Sequence, residues 1–279
     1  MYKDLLVPIT DTPADEAALA AALQLAGHAQ AHVTVLEVVN LPLPATPWGM
    51  SPEIGMADLY ERLRSQGDSN GIEMRKRLAG ESVSSEVRVV EAMFVEPPSM
   101  AVRWAQTHAL SVVGNVRGDN SDADRTRAMI GSLLLEAGRP VLSVPEGNAA
   151  PVPPRHVVVA WKPTTQAARA LQDAMPLLLA ADRVELVMID PVAEDSAAEA
   201  EPGAEVLAHL RRHSVHADPV ILHAKRTSDS QVLLDHLQQS GAQLLVSGGY
   251  GHSRLRQWAL GGMTRELLFS ARIPVLFSH

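Results

Sequence analysis

Residues Leu244–Phe277 read LLVSGGYGHSRLRQWALGGMTRELLFSARIPVLF, and this stretch decides the fold. Leu244, Leu245 and Val246 form a short apolar run, the pattern of a strand buried on both faces. Gly248, Gly249 and Gly251 then open a turn region, and a second pair, Gly261 and Gly262, precedes Thr264 and a segment of helical spacing through Leu267 and Leu268. Pro274 stops that helix, and Val275, Leu276 and Phe277 make the next strand. A glycine loop between a strand and a helix N-terminus is suited to phosphate. The backbone can approach an anion closely, and unpaired N–H groups together with the helix dipole favour negative charge.

The same alternation runs along the whole chain of 279 residues. In the first half, strands are expected at Leu5–Val7, Val33–Val39, Val87–Val90, Leu110–Val113 and Pro140–Val144. The helices between them cover Pro13 to Ala26, Asp58–Leu78, Ser99–His108 and Ala128–Ala137. Thr12 is placed to cap the first helix, with Pro13 in its first turn, Asp15 at the capping-box offset and Gly27 closing it. The polar stretch Arg117–Arg127 reads as a loop before the fourth helix, with Gly131-Ser132 as that helix's cap. A proline-rich linker, Pro145–Arg155, follows, and the pattern restarts at Val157–Val159. Arg139-Pro140-Val141-Leu142 near the end of one half matches Ile273-Pro274-Val275-Leu276 at the end of the other. The chain therefore reads as a duplication. It predicts an α/β protein of two tandem, doubly wound, five-stranded parallel-sheet (Rossmann-like) domains, at residues 1–146 and 155–279. In such sheets ligands bind beyond the carboxyl ends of the strands.

Composition narrows the function. A net charge of −8 argues against nucleic acid or an anionic membrane as an electrostatic partner. The absence of cysteine excludes disulfides, thiol catalysis and thiolate metal sites. With no apolar run near membrane-spanning length and no secretory h-region, the expected location is the cytoplasm. There is no G-x-S-x-G elbow and no Walker lysine loop, so no enzymatic reaction is expected. The loop Ser247–Ser253 differs from the SGGxDS loop of ATP pyrophosphatases, with Gly251-His252 at the position of the aspartate.

The spacing Gly248-x2-Gly251-x9-Gly261, followed by Gly262-Met263-Thr264 and, after a helix, Pro274-Val275-Leu276, resembles the nucleotide loop of the universal stress protein family in its tandem bacterial form. The resemblance implies stress-response roles, and a pairing of the two domains within the chain through their final strands, with a homodimer left open. The family divides into binders of ATP, for which Mg2+ would accompany the phosphates, and relatives that bind no nucleotide. By this likeness Gly248, Gly251, Gly261, Gly262 and Thr264 are the cofactor-binding candidates. Gly262 stands where the family has a hydroxyl, and Lys162 where it has an acid after the first strand. In the first half Asp11 or Thr10 falls near that acidic position, and the degenerate loop, Gly114–Gly118 with a longer gap to Gly131-Ser132, keeps its last Gly-Ser pair and loses the spacing.

Other features have plainer readings beside the functional ones. His252, Arg254 and Arg256 lie in the glycine loop, as phosphate contacts or as a solvated face. His209 and His213, one helical turn apart, with His216 and His223 nearby, have metal-compatible spacing, but the preferred reading is basic residues ending a helix, with no metal bound. Pro47, Trp48, Met50 and Pro52 mark an insertion, Leu41–Ile54, that is read as a cover over the first-half cleft or over a neighbouring subunit, or as a surface loop.

Overall fold

The structure is a computed structural model, and it describes residues 2–42, 53–148, 150–191, 202–249 and 262–279. The first half comprises strands β1 (Asp4–Pro8), β2 (His32–Leu41), β3 (Ser84–Met93), β4 (Leu110–Asn115) and β5 (Val141–Pro145). Its helices are α1 (Asp15–Ala29), α2 (Glu53–Leu78), α3 (Pro97–Ala105) and α4 (Ser121–Glu136). The second half repeats the series with β6 (His156–Ala160), α5 (Thr165–Leu178), β7 (Arg183–Ile189), α6 (Ala204–Arg212), β8 (Ala217–Leu222), α7 (Asp229–Ser240), β9 (Leu244–Gly248), α8 (Gly262–Ser270) and β10 (Val275–Ser278). Every strand and helix expected from the sequence is present, although several are longer than the apolar runs that announced them.

The strands form one sheet in the order β3-β2-β1-β4-β5-β10-β9-β6-β7-β8. Pairing within each half is parallel, and the single antiparallel junction is β5 with β10. Its register puts Leu142 opposite Leu276, with Val141 facing Phe277 and Ser143 facing Val275. Leu142 and Leu276 are equivalent residues of the two repeats, so a local twofold passes between them and the contact is isologous in form. The carboxyl ends of the two half-sheets consequently point in opposite directions.

Alternate strand residues serve opposite layers. Leu5, Val7, Val112, Val157, Val159 and Leu276 join α1, α5 and α6 in one core. Leu6, Val113, Val158, Leu245 and Phe277 join α3, α4, α7 and α8 in the other. Phe277, Leu5, Leu6 and Leu142 are among the largest fully buried side chains, each worth about 1.5–3 kcal/mol on burial. Strands covered on both sides must be apolar at consecutive positions, and that is why they appear in the sequence as unbroken runs.

Three local expectations are corrected. Gly27 lies inside α1, which continues to Ala29 and ends on Gln30 in the left-handed region (φ 50). Thr12 is not the cap of α1. Ala14 holds that position, while the Asp15 carboxylate reaches back to accept the amides of Thr10 and Thr12. Helix α4 begins at Ser121, seven residues before the predicted start, because the Asn120 side chain accepts the Ala123 amide and Asp122 and Asp124 favour the first turn. Gly131 and Ser132 are therefore internal to the helix and cap nothing.

A buried ion cluster ties α7 to the second half-sheet. Glu185 on β7 is 1% exposed. Its Oε2 accepts His236 Nε2 of α7 at 2.6 Å, and its Oε1 lies 2.5 Å from Arg183 Nη2 and 3.2 Å from His156 Nε2. Burial pushes this carboxyl up, but the His236 hydrogen bond and the charges of Arg183, His236 and His156 outweigh it and hold the group below the ordinary carboxylate range.

Two predictions follow from this packing. A Cβ on Gly114, at the end of β4, would stand 2.5 Å from the backbone of Ala14, so Gly114→Ala should destabilise the chain by about 1–3 kcal/mol or more in urea unfolding. A carboxylate whose pKa is lowered by folding stabilises above its unfolded value, and that stabilisation is lost as pH falls through the folded value. Glu185→Gln should therefore cost about 1–3 kcal/mol near neutrality, and the difference from wild type should close below the normal carboxylate range.

Candidate functional site

The carboxyl edge of each half-sheet is bounded by the end of the fourth strand of the repeat, the start of its first helix and the start of its last helix. In the first half these are Gly114-Asn115, Ala14 and α4. In the second half they are Gly248-Gly249, Gln166 and α8. The two edges have the same frame.

In the first half the chain fills the edge itself. Ala123 of α4 packs against Ala14 and Val116, all three buried. The Thr126 hydroxyl, fully buried, accepts the Val116 amide at 3.3 Å and donates to the Ala123 carbonyl at 3.1 Å. Arg125 donates to the carbonyls of Thr10 and Asp11 at 3.1 and 3.0 Å. Arg127, which occupies the place of Gly261 in the repeat, donates to the Gly118 carbonyl and lies 4.1 Å over the Phe269 ring of the second half. The floor of this edge is acidic. Burial raises the Asp15 carboxyl, opposed by hydrogen bonds from Thr10 and Thr12. Burial likewise raises Glu37, opposed by the Asn70 amide and reinforced by Asp11 and Asp15. A phosphate would meet like charge here and find the Val116 amide already engaged.

In the second half, β6 leads through Trp161-Lys162-Pro163 to Thr164, whose hydroxyl accepts the Ala167 amide and caps α5. Gly248 is pressed onto that helix start: a Cβ would lie 2.8 Å from Ala167 N and from the Gln166 carbonyl carbon. The same approach recurs at Gly114, so this glycine is required by strand–helix packing. Gly249 donates to the Ser278 carbonyl at 2.7 Å, and a Cβ there would meet Leu134 of α4 at 2.5 Å. Thr264 is buried. Gly262, the first described residue of α8, is exposed, and among the described residues of other elements no atom lies within 4 Å of the position its Cβ would take. Gly251, Gly261, His252, Arg254 and Arg256 lie outside the described residues, as do Pro47, Trp48, Met50 and Pro52.

The structure thus brings Gly248, Gly249 and the start of α8 to one edge, with Gly248 and Gly249 committed to packing and pairing. It also shows four participants that sequence reasoning missed: Asn120, Arg125, Thr126 and Arg127. The signal for them was Asn120 followed by Asp122 and Asp124, a helix-start signature inside the stretch read as loop. The histidines do not assemble. The rings of His209 and His213 lie 4.6 Å apart, tilted by 56°, and His223 binds Asp190 at 2.9 Å, holding that carboxyl low. Among the described residues no group of three or more His, Asp or Glu side chains could hold a metal ion. No helix among them is long and apolar enough to cross a membrane.

The family model of the universal stress protein family matches residues 1–113 and 154–279. Among curated proteins none matches. Among solved structures, a universal stress protein from Archaeoglobus fulgidus DSM 4304 superposes with a TM-score of 0.68 at 14% identity, covering 99% of this chain and 97% of that one. A putative universal stress protein from Pseudomonas aeruginosa UCBPP-PA14 gives 0.58 at 15% identity, covering 99% and 93%. At such identities the likeness to these structures is one of fold, while the family model spans most of both repeats. On that match, the chain belongs to the universal stress protein family.

Proposed function

We propose that this universal stress protein binds an adenine nucleotide, ATP, through its second half alone and turns it over little or not at all. The domains would be residues 1–146, with a degenerate loop, and 155–279, with the binding loop. The carrying observation is that the chain itself fills the first edge, where α4 inserts Ala123, Thr126 and Arg125, whereas Gly262 in the second half is exposed and has no described atom of another element within 4 Å of where its Cβ would stand. Phosphate would lie over the segment Gly248, Gly251, Gly261, Gly262 and Thr264. Since the Gly249 amide is taken by Ser278, amide donation would come mainly from the Gly251–Gly262 part. Lys162, exposed beside this edge, adds charge of the right sign. Mg2+ would be carried by the phosphates themselves, in keeping with the small protein share in many magnesium sites.

Specific observations favour a second reading, a nucleotide-independent interaction module. Gly248 and Gly249 are fully accounted for by packing, and Thr264 is buried. Calorimetry with Mg-ATP on nucleotide-free protein separates the two. Binding should appear with a thermal shift, since ligand at a hundred times Kd stabilises by about 2.7 kcal/mol. Gly261→Val should abolish both signals while leaving the unliganded melting temperature in place. Absence of heat and of thermal shift at millimolar Mg-ATP, with no adenine nucleotide copurifying, would establish the second reading.

A further inference from the structure

We propose that the outer edge of β3, together with the helix α2 that lies over it, is a self-complementary surface that binds a second copy of this chain. β3 and β8 are the terminal strands of the sheet. In β2 the Leu36 carbonyl accepts the Ile9 amide, so Leu36 and its alternates point at β1, while Val35 and its alternates point at β3. In a parallel ladder, the residue opposite one that bonds across the gap turns away from it. Val87 lies opposite Val35, so the amides and carbonyls of Ser85, Val87, Val89, Glu91 and Met93 face outward along the whole of β3. Arg75 of α2 agrees with this direction, since its Nη2 reaches the Val87 carbonyl at 3.3 Å. That oxygen keeps a second lone pair for an incoming amide.

The opposite edge is blunted. The Leu222 carbonyl accepts the Asp190 amide just after β7, so Leu222, Val220 and Asp218 point inward and Pro219 points outward. Proline has no N–H to offer there. A chain with one pairing edge forms a closed twofold dimer and not a fibre.

The β3 edge is complementary to itself. Antiparallel pairing about Val89 sets Val87 against Glu91 and Ser85 against Met93 of the second copy, which uses the full strand. This repeats the solution of the β5–β10 seam, with the axis normal to the sheet, and it leaves both α2 helices on one face. With strands about 4.8 Å apart, helices centred over their own β2–β3 pairs stand about 10 Å apart, which is packing distance. Gly71 sits on Val89, where a Cβ would lie 2.6 Å from Val89 Cγ2, so the axis passes beside Gly71 and Ile72. Asn70 bonds Glu37 of β2, and Arg64 bonds Glu91 of β3, which fixes the flank of α2 that overhangs the edge. On that flank Ile72 is 50% exposed. Asp68, three residues before Gly71, and Arg75, three after Ile72, are exposed on the same flank. Two antiparallel copies about this axis bring Ile72 against Ile72, with Asp68 against Arg75 on either side. The contact has an apolar centre between two opposite-charge pairs.

The chain has no cysteine, so single cysteines report proximity without background. Under mild oxidation of the dilute full-length protein, Ile72→Cys should form a disulfide-linked dimer, and Ile221→Cys, similarly exposed on the blunted edge, should not. Sedimentation should show the wild type in a monomer–dimer equilibrium. Arg75→Glu sets like charges face to face and should weaken association by about tenfold or more, and adding Asp68→Arg, which exchanges the pair, should restore it. Both side chains lie on the surface, so neither change threatens the fold. A wild type that stays monomeric at about 0.5 mM, where even millimolar affinity would show, overturns the proposal. So does a dimer whose dissociation constant neither Arg75→Glu nor Ile72→Lys alters, or cross-linking of Ile72→Cys no faster than that of Ile221→Cys.

Discussion

The architecture depends on three residue pairs. Where β5 and β10 run antiparallel, Leu142 faces Leu276, and two five-stranded parallel sheets become one sheet of ten. A parallel sheet ends in an edge with unpaired N–H and C=O groups, and the last strand of each half is buried at every residue. Each half therefore needs a partner for its final strand, and the other half supplies an equivalent strand about a local twofold. The seam is apolar at its centre and on both faces: Leu142 and Leu276 are covered by one helix layer, and Val141 and Phe277 by the other.

That seam also fixes where functional differences can arise. Because the half-sheets point in opposite directions, each carboxyl edge lies beside elements of the other half. Asn115 donates to the Leu268 carbonyl of α8, and Leu134 of α4 abuts Gly249. The last helix of each repeat thus has two duties, to cover its own sheet and to brace its sibling's fourth strand. In the first half α4 runs over the edge from Ser121, with Arg127 crossing to Phe269. The same helix that strengthens the contact between halves closes the first edge to anions.

A comparable asymmetry appears at the amino ends. The linker that joins the repeats is used as packing material beneath the second half, and Tyr2 bonds to the Asp173 carbonyl of α5 beneath the first. Buried charge is also unevenly shared. The second half carries Glu185 within a cluster of Arg183, His156 and His236, and the first carries Asp15 and Glu37 among neutral hydrogen-bond donors. Equivalent backbones thus hold carboxyl groups shifted in opposite directions, because Glu185 has cationic neighbours that outweigh its burial, while Asp15 and Glu37 are raised chiefly by burial, with Asp11 adding like charge.

Element type, order and the repeat itself were legible in the amino-acid sequence, because a strand buried on both faces must be apolar at every position. Leu5–Val7, Val157–Val159 and Leu244–Val246 could hardly be read otherwise. The proline before β5 and before β10, and the glycines after β4 and β9, marked the junctions for equally local reasons. What sequence could not decide was the purpose of each glycine. Gly248 satisfies a phosphate motif and a steric demand from Gln166 and Ala167 with the same atoms, and only the distance between β9 and α5 tells them apart. The extension of α4, the bond from Thr126 to Val116 and the packing of Val152 beneath the second half all depend on residues far apart in the chain meeting across a sheet. Such contacts leave no periodic trace in the sequence, since their strength comes from tertiary proximity and not from local preference.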